Sequence, residues 1–287
     1  IETGVLAYVE NDGAVKVTGT LAIQDIDNIA LSHATVGING YRSGEDHLRF
    51  ANQTGITASF NAEMGILTLN GPAASSDFQA ARRSVAYENT SEAPTSGDRQ
   101  ITFVIDDGVP GQLVSSGPPL SRTASVSSTN DAPTIVSPAE QTIDENSDLT
   151  FSVANQNAIT IADVDAGGED IEVSLSATST LTLSNIAGVG ITGNGTDAVV
   201  ITGSLGAINN SLDGMVYAPT PDNDVSGSVT IVVNDMGNTG DDQNPLTVQK
   251  TININITPVN DDPTIVSPAE QPTPEDTDQP ISDATHN

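Results

Sequence analysis

The chain has 287 residues, in which 8 lysines and arginines face 38 aspartates and glutamates, for a formal net charge of −30. That balance excludes nucleic acid and an anionic membrane surface as partners, because both require a basic footprint. No cysteine is present, which excludes a disulfide scaffold, thiolate metal sites and a cysteine nucleophile.

In chain order the sequence reads as short β-strands. Val15-Lys16-Val17 comes first, and Ile101-Thr102-Phe103-Val104-Ile105 follows with a β-branched run. Val229-Thr230-Ile231-Val232-Val233 and Thr251-Ile252-Asn253-Ile254-Asn255-Ile256 repeat the pattern later in the chain. Gly, Asn and Asp punctuate these runs, which predicts a β-sandwich rather than a βαβ fold. Two helical exceptions interrupt it. Ser76-Asp77 is expected to cap a helix through Arg83, with Phe78, Ala81 and Val85 on one face. Gly206 to Leu212 is the counterpart, with Ile208 and Leu212 facing in. Aromatic residues make up 3% of the chain, so the cores must be aliphatic. No apolar run approaches the ~18 residues of a membrane-spanning helix. Gly188 to Gly193 fits G-x-G-x-x-G, but a strand pattern follows, so a glycine-rich hairpin is expected there and not a dinucleotide site.

The chain repeats itself. Pro133-Thr134-Ile135-Val136-Ser137-Pro138-Ala139-Glu140-Gln141 recurs letter for letter at 263–271, an offset of 130 residues. Asn130-Asp131-Ala132-Pro133 matches Asn260-Asp261-Asp262-Pro263, and Tyr87 matches Tyr217. Residues 1–131 and 132–261 therefore read as two diverged repeats, and 262–287 as the truncated start of a third. The start at Ile1 reads as a piece cut from something longer.

These residues resemble the cadherin-like tandem repeats of very large bacterial surface proteins, of the VCBS and RTX-adhesin type. The resemblance rests on the linker N-D-x-P-T-I and on Tyr87-Glu88-Asn89-Thr90-Ser91 with Pro94, Gly97, Arg99 and Asp106-Asp107-Gly108. Tyr217-Ala218-Pro219 with Gly227, Asn234-Asp235 and Gly237 is a variant of the same pattern. The resemblance implies an all-β fold of tandem Ig-like or cadherin-like Greek-key sandwiches placed end to end, with Ca²⁺ at the junctions.

The carboxylates support that expectation, since Ca²⁺ takes 6–8 oxygen ligands from carboxylates and carbonyls. In a seven-stranded sandwich, Glu10, in the turn after the first strand, and Glu88, just before the sixth, are expected at the lower end of repeat 1, beside the linker Asn130-Asp131. Asp163, Asp165 and Asp235 are expected to crown repeat 2. One complete junction would gather all seven. Asp25, Asp27 and Asp107 would form half a junction at the top of repeat 1. Glu145, Asn260 and Asp261 would form the other half at the bottom of repeat 2, weaker or differently liganded because Ala218 stands where Glu88 stood.

The expected function is that of a non-catalytic, calcium-stiffened extender of a large secreted or cell-surface adhesin, its partners being neighbouring repeats of the same chain. His47, beside Glu45 and Asp46, has no equivalent in repeat 2, and no nucleophile-elbow or H-E-x-x-H motif occurs. Two alternatives remain. One is a module binding cell-surface glycan or protein through loop 39–55, with Tyr41, Arg42, Arg49 and Phe50. The other is a self-associating filament or sheath subunit.

Overall fold

The computed structural model describes residues 1–23, 30–106, 119–237, 243–263 and 265. The described residues are all-β apart from two short helices, and they build two separate cores.

The first core is enclosed by two sheets. The larger contains β1 (Leu6–Val9), β3 (Leu31–Asn39), β5 (Thr57–Asn61), β6 (Ile66–Ala73), β8 (Gly97–Asp106) and β9 (Leu120–Ser127), in the order β1-β9-β8-β3-β6-β5. The smaller is β2 (Val15–Lys16), β7 (Ala86–Asn89) and β4 (Asp46–Arg49), with β7 in the middle. α1 (Ser75–Ser84) links β6 to β7. Alternation along β3 turns Ala34, Val36 and Ile38 inward, where they meet Ile101 and Phe103 of β8.

The second core repeats the plan. β10 (Thr134–Val136) pairs with β13 (Thr160–Ala162), and β12 (Leu149–Phe151) pairs with β17 (Met215–Ala218). The remaining sheet orders β11 (Gln141–Asp144), β19 (Thr247–Thr257), β18 (Gly227–Asn234), β14 (Asp170–Thr182), β16 (Thr196–Ser204) and β15 (Val189–Thr192). α2 (Leu205–Leu212) links β16 to β17. β14 does the work of β3 and β4 together: its first half pairs with β18, and beyond an irregularity its end pairs with β17. All four predicted β-branched runs carry strands, the first only over Val15–Lys16.

The two copies agree in register. β1 runs parallel to β9, with Leu6 opposite Ala124, and β11 runs parallel to β19, with Gln141 opposite Ile254. β1 and β11 thus each end beside the end of the last strand of their sandwich, which delivers Glu10 and Glu145 to the outgoing linkers. The glycine-rich segment is the β15–β16 hairpin. Its turn needs Gly193, which sits at φ +73° where an added Cβ would fall 2.1 Å from the Ala198 carbonyl oxygen.

Three local expectations are corrected. The first helix starts at Ser75 with Ala74 in the cap position and no side-chain capping bond, so Ser76 and Asp77 lie inside its first turn. Its buried face includes Arg82 beside Phe78 and Ala81, while Val85 is the buried cap residue that follows. Glu88 lies within β7, well before β8 begins, because the loop 90–96 intervenes.

Candidate metal centre between the two repeats

The lower end of the first sandwich supplies Glu10, just after β1. Its backbone N–H donates to the Ser127 carbonyl at 3.0 Å, continuing the β1–β9 ladder by one bond. Its Oε2 accepts the Thr129 N–H at 2.9 Å and the Thr129 hydroxyl at 3.3 Å. Its Oε1 is buried and accepts nothing. Glu10, Glu92 and Asp131 each offer a carboxylate oxygen, all within 4.8 Å of one another.

The upper end of the second sandwich supplies the opposite wall. Asp163 Oδ1 accepts the N–H groups of Asp165 and Ala166, at 2.9 and 3.1 Å. Its Oδ2 is buried without a partner. Asp165 accepts the Asp131 N–H at 2.6 Å, tying the linker to this wall. Asp235 is 1% exposed; it accepts N–H bonds from Gly237 and Leu246 and the Asn130 side-chain amide at 2.7 Å.

Six of the seven predicted junction residues therefore meet: Glu10, Asn130, Asp131, Asp163, Asp165 and Asp235. Glu88 does not join them. Its carboxylate pairs with the Arg49 guanidinium across the β4–β7 pair. Glu92, which sequence reasoning passed over, takes that place, with Asn11 Nδ2 donating to it at 3.5 Å. A signal existed. Glu92 and Asp222 are both acidic at the repeat offset of 130, and Asp222 is likewise held by Asn146, at 3.2 Å. Asn11 and Asn146 share the left-handed conformation, at φ 65° and 61°, which Asn tolerates.

The half junctions fare differently. Asp25, Asp27 and Asp107 lie outside the described residues. Glu145 repeats the Glu10 arrangement: its N–H donates to the Thr257 carbonyl at 2.9 Å and its carboxylate accepts the Val259 N–H at 2.5 Å. Asn260 donates to the Asp261 carbonyl at 3.2 Å, and both residues are exposed. The presence of Ala218 removes nothing from this end, since the position of Glu88 is not part of the first junction either.

Burial raises the carboxyl groups of Glu10, Asp163 and Asp165 above their ordinary range, and neighbouring carboxylates push the same way. Among the described residues no lysine or arginine pairs with any of them. An acceptor-only oxygen that is buried without a donor is the environment a cation satisfies. The donor set is all oxygen, which suits Ca²⁺ and not a soft metal. These residues fit the ion that the resemblance implies.

A pH dependence follows for the metal-free chain. A carboxyl whose folded pKa is raised penalises the folded state above that pKa, and the penalty is relieved as pH falls through it. Glu2 behaves oppositely. The Thr18 hydroxyl holds it near 2, so its contribution is lost only as pH falls below the ordinary value of 4.5. Above the ordinary carboxylate range, acidification in chelator is expected to raise the melting temperature, because Glu10, Asp163 and Asp165 take up protons in the folded state before they do in the unfolded chain. A melting temperature that falls on such acidification would contradict the buried-carboxylate geometry.

The aromatic loop 39–55 packs against its own sandwich. The Tyr41 hydroxyl donates to the Ala62 carbonyl at 2.6 Å, and its ring meets Phe60 edge-on at 6.3 Å. Phe50 is half-buried against the first core.

No family model matches the chain. A halomucin from Haloquadratum walsbyi (strain DSM 16790 / HBSQ001) is 31% identical over 108 residues, covering 35% of this chain and 1% of that protein. Among solved structures, PcdhgB3 EC1-4 overlays with a TM-score of 0.31 at 17% identity, covering 89% of this chain and 48% of that one. Human CDH23 EC21-23 overlays with a TM-score of 0.30 at 16% identity, covering 88% and 67%. The chain thus spans about half of the first structure and a hundredth of the halomucin.

Proposed function

We propose that the chain is a non-catalytic extender segment of a large secreted or cell-surface protein, of the VCBS or RTX-adhesin kind its motifs resemble. In this reading the repeats divide at 131/132 and 261/262, and Ca²⁺ stiffens the joint between the first two. The carrying observation is the pair of buried, unpartnered carboxylate oxygens of Glu10 and Asp163, supplied by different repeats to one linker. Glu10, Glu92 and Asp131 would hold the ion from one side, and Asp163, Asp165 and Asp235 from the other, with Asn130 between. The ion would supply positive charge that removes the mutual repulsion of these groups. Bending at the linker would then separate ligands from their ion, so hinge motion becomes costly. Similarity to a small part of a very long halomucin is consistent with a segment of a tandem array.

Isothermal titration of the whole chain tests this directly. Calcium uptake is expected, together with a narrower range of interrepeat angles by small-angle scattering. No uptake at millimolar calcium would sink the assignment. The same titration separates the two glutamates. Glu92→Gln is expected to weaken binding by about 10-fold, on the scale of lost metal-site interactions, while Glu88→Gln leaves it unchanged. The reverse order would return Glu88 to the site.

A further inference from the structure

The loop that carries Glu92 connects β7 to β8 and has no ladder of its own, yet it is tied down at nearly every step. Behind it lies a buried ion pair: Arg99 Nε donates to Asp46 Oδ2 at 3.0 Å, with the two side chains 2% and 0% exposed. Arg99 also donates to the carbonyls of Thr95 and Gly97, at 2.8 and 3.2 Å. Asp46 Oδ1 accepts the Asn89 side-chain amide at 3.0 Å, and Asn89 Oδ1 in turn accepts the Ser91 N–H at 3.0 Å. The Tyr8 hydroxyl donates to the Asn89 carbonyl and accepts the Asn89 N–H, both at 3.0 Å. Glu45 closes the far end by accepting the Thr95 N–H at 3.0 Å and its hydroxyl at 2.8 Å.

The sandwich itself does not require these charges. Leu48 lies opposite Tyr87 as Leu181 lies opposite Tyr217, so Ser179 occupies the place of Asp46. β8 and β18 both begin at glycine, so Val229 occupies the place of Arg99. The second sandwich closes its core at both positions without a charge. A buried ion pair is poor evidence for stability, since its desolvation cost offsets most of its attraction. What the second repeat has instead is two prolines ahead of its acid, Pro219 and Pro221 between Tyr217 and Asp222, where the first repeat has a single proline, Pro94, that follows Glu92. Proline fixes φ without any hydrogen bond. Both repeats therefore restrain the loop that bears the equivalent acid, one with two prolines and the other with a buried network.

We infer that Arg99 and Asp46, with Glu45 and Asn89, are positioning residues that hold the loop 90–96 so that Glu92 stands at the junction before any ion arrives. The inference rests on the junction reading for its consequence in binding, but not for its consequence in loop order.

The test places the second repeat's residues in the first, as the double variant Asp46→Ser, Arg99→Val in the full chain. Two quantities are read: exchange of the Ser91 and Thr95 amide hydrogens in chelator, and calcium affinity by titration. Faster exchange at both amides is expected, with affinity lowered by about 10-fold. In a Glu92→Gln background the double variant should lower affinity no further, since residues acting through one group are not additive. An equal loss in both backgrounds would mean a merely structural role and overturn the inference, as would unchanged exchange. Should the double variant fail to fold, Glu45→Gln leaves the buried pair intact and is held to the same outcomes at Thr95. Absence of calcium uptake by the unaltered chain would defeat the junction reading alone, and amide exchange would still decide the positioning role.

Discussion

Heated in excess calcium, the chain is expected to unfold well above its melting point in chelator, and in one transition where chelator gives two. Binding to the native state alone adds RT ln(1 + [L]/Kd), about 2.7 kcal/mol at a hundred times Kd. For a repeat of this size that corresponds to roughly 10 °C. The merging of transitions is the more specific result. The two cores share no residue, so without an ion each sandwich can melt separately. The proposed ligands are divided between them: Glu10 and Glu92 unfold with the first repeat, and Asp163, Asp165 and Asp235 with the second. Loss of either sandwich releases the ion, so calcium links the two equilibria. Calorimetry with and without calcium checks both points. Identical traces would leave two acidic sandwiches on an ordinary linker.

Arg82→Leu is expected to stabilise the first repeat by about 1–4 kcal/mol, the range seen when buried charges give way to packed apolar groups. Arg82 is 1% exposed in the last turn of α1, and its Nε and Nη1 have no hydrogen-bond partner. Its guanidinium lies over the Phe103 ring at 5.2 Å, a contact worth less than the solvation it replaces. Burial lowers its pKa to about 10, so the penalty is present at every pH below that and is relieved only above it. The second repeat shows the apolar solution, because Leu212 stands at the same place in α2 and is fully buried. Denaturant unfolding followed by tyrosine fluorescence is a suitable measure. Tyr8, Tyr41 and Tyr87 report the first repeat and Tyr217 the second, with no tryptophan to interfere. A destabilised Arg82→Leu variant would show that the guanidinium is compensated after all.

Arg82 concerns how a diverged copy tolerates a charge inside a sandwich whose plan is otherwise shared. The carboxylates concern why two such sandwiches would be joined by a linker that neither core needs.

The sequence by itself determined the all-β class, the 130-residue period, both helices and the acidic character of the linker ends. Each is a local or periodic property. Alternation of β-branched residues marks strands, letter-for-letter recurrence marks a repeat, and Asp and Asn beside strand ends mark turns that face a neighbour. Glu10, Asn130, Asp131, Asp163, Asp165 and Asp235 were legible as a group because each lies in a turn within three residues of a strand end or forms the linker. Only the tertiary structure decided between Glu88 and Glu92. Glu88 lies inside β7, where pairing with β4 fixes its direction and gives it Arg49. Glu92 lies in a loop whose course depends on Asp46 and Arg99, residues 46 and 7 positions away in the chain. A loop without periodicity carries no local record of where it goes. Its path is set by buried hydrogen bonds to other strands, and these exist only once the sandwich has closed.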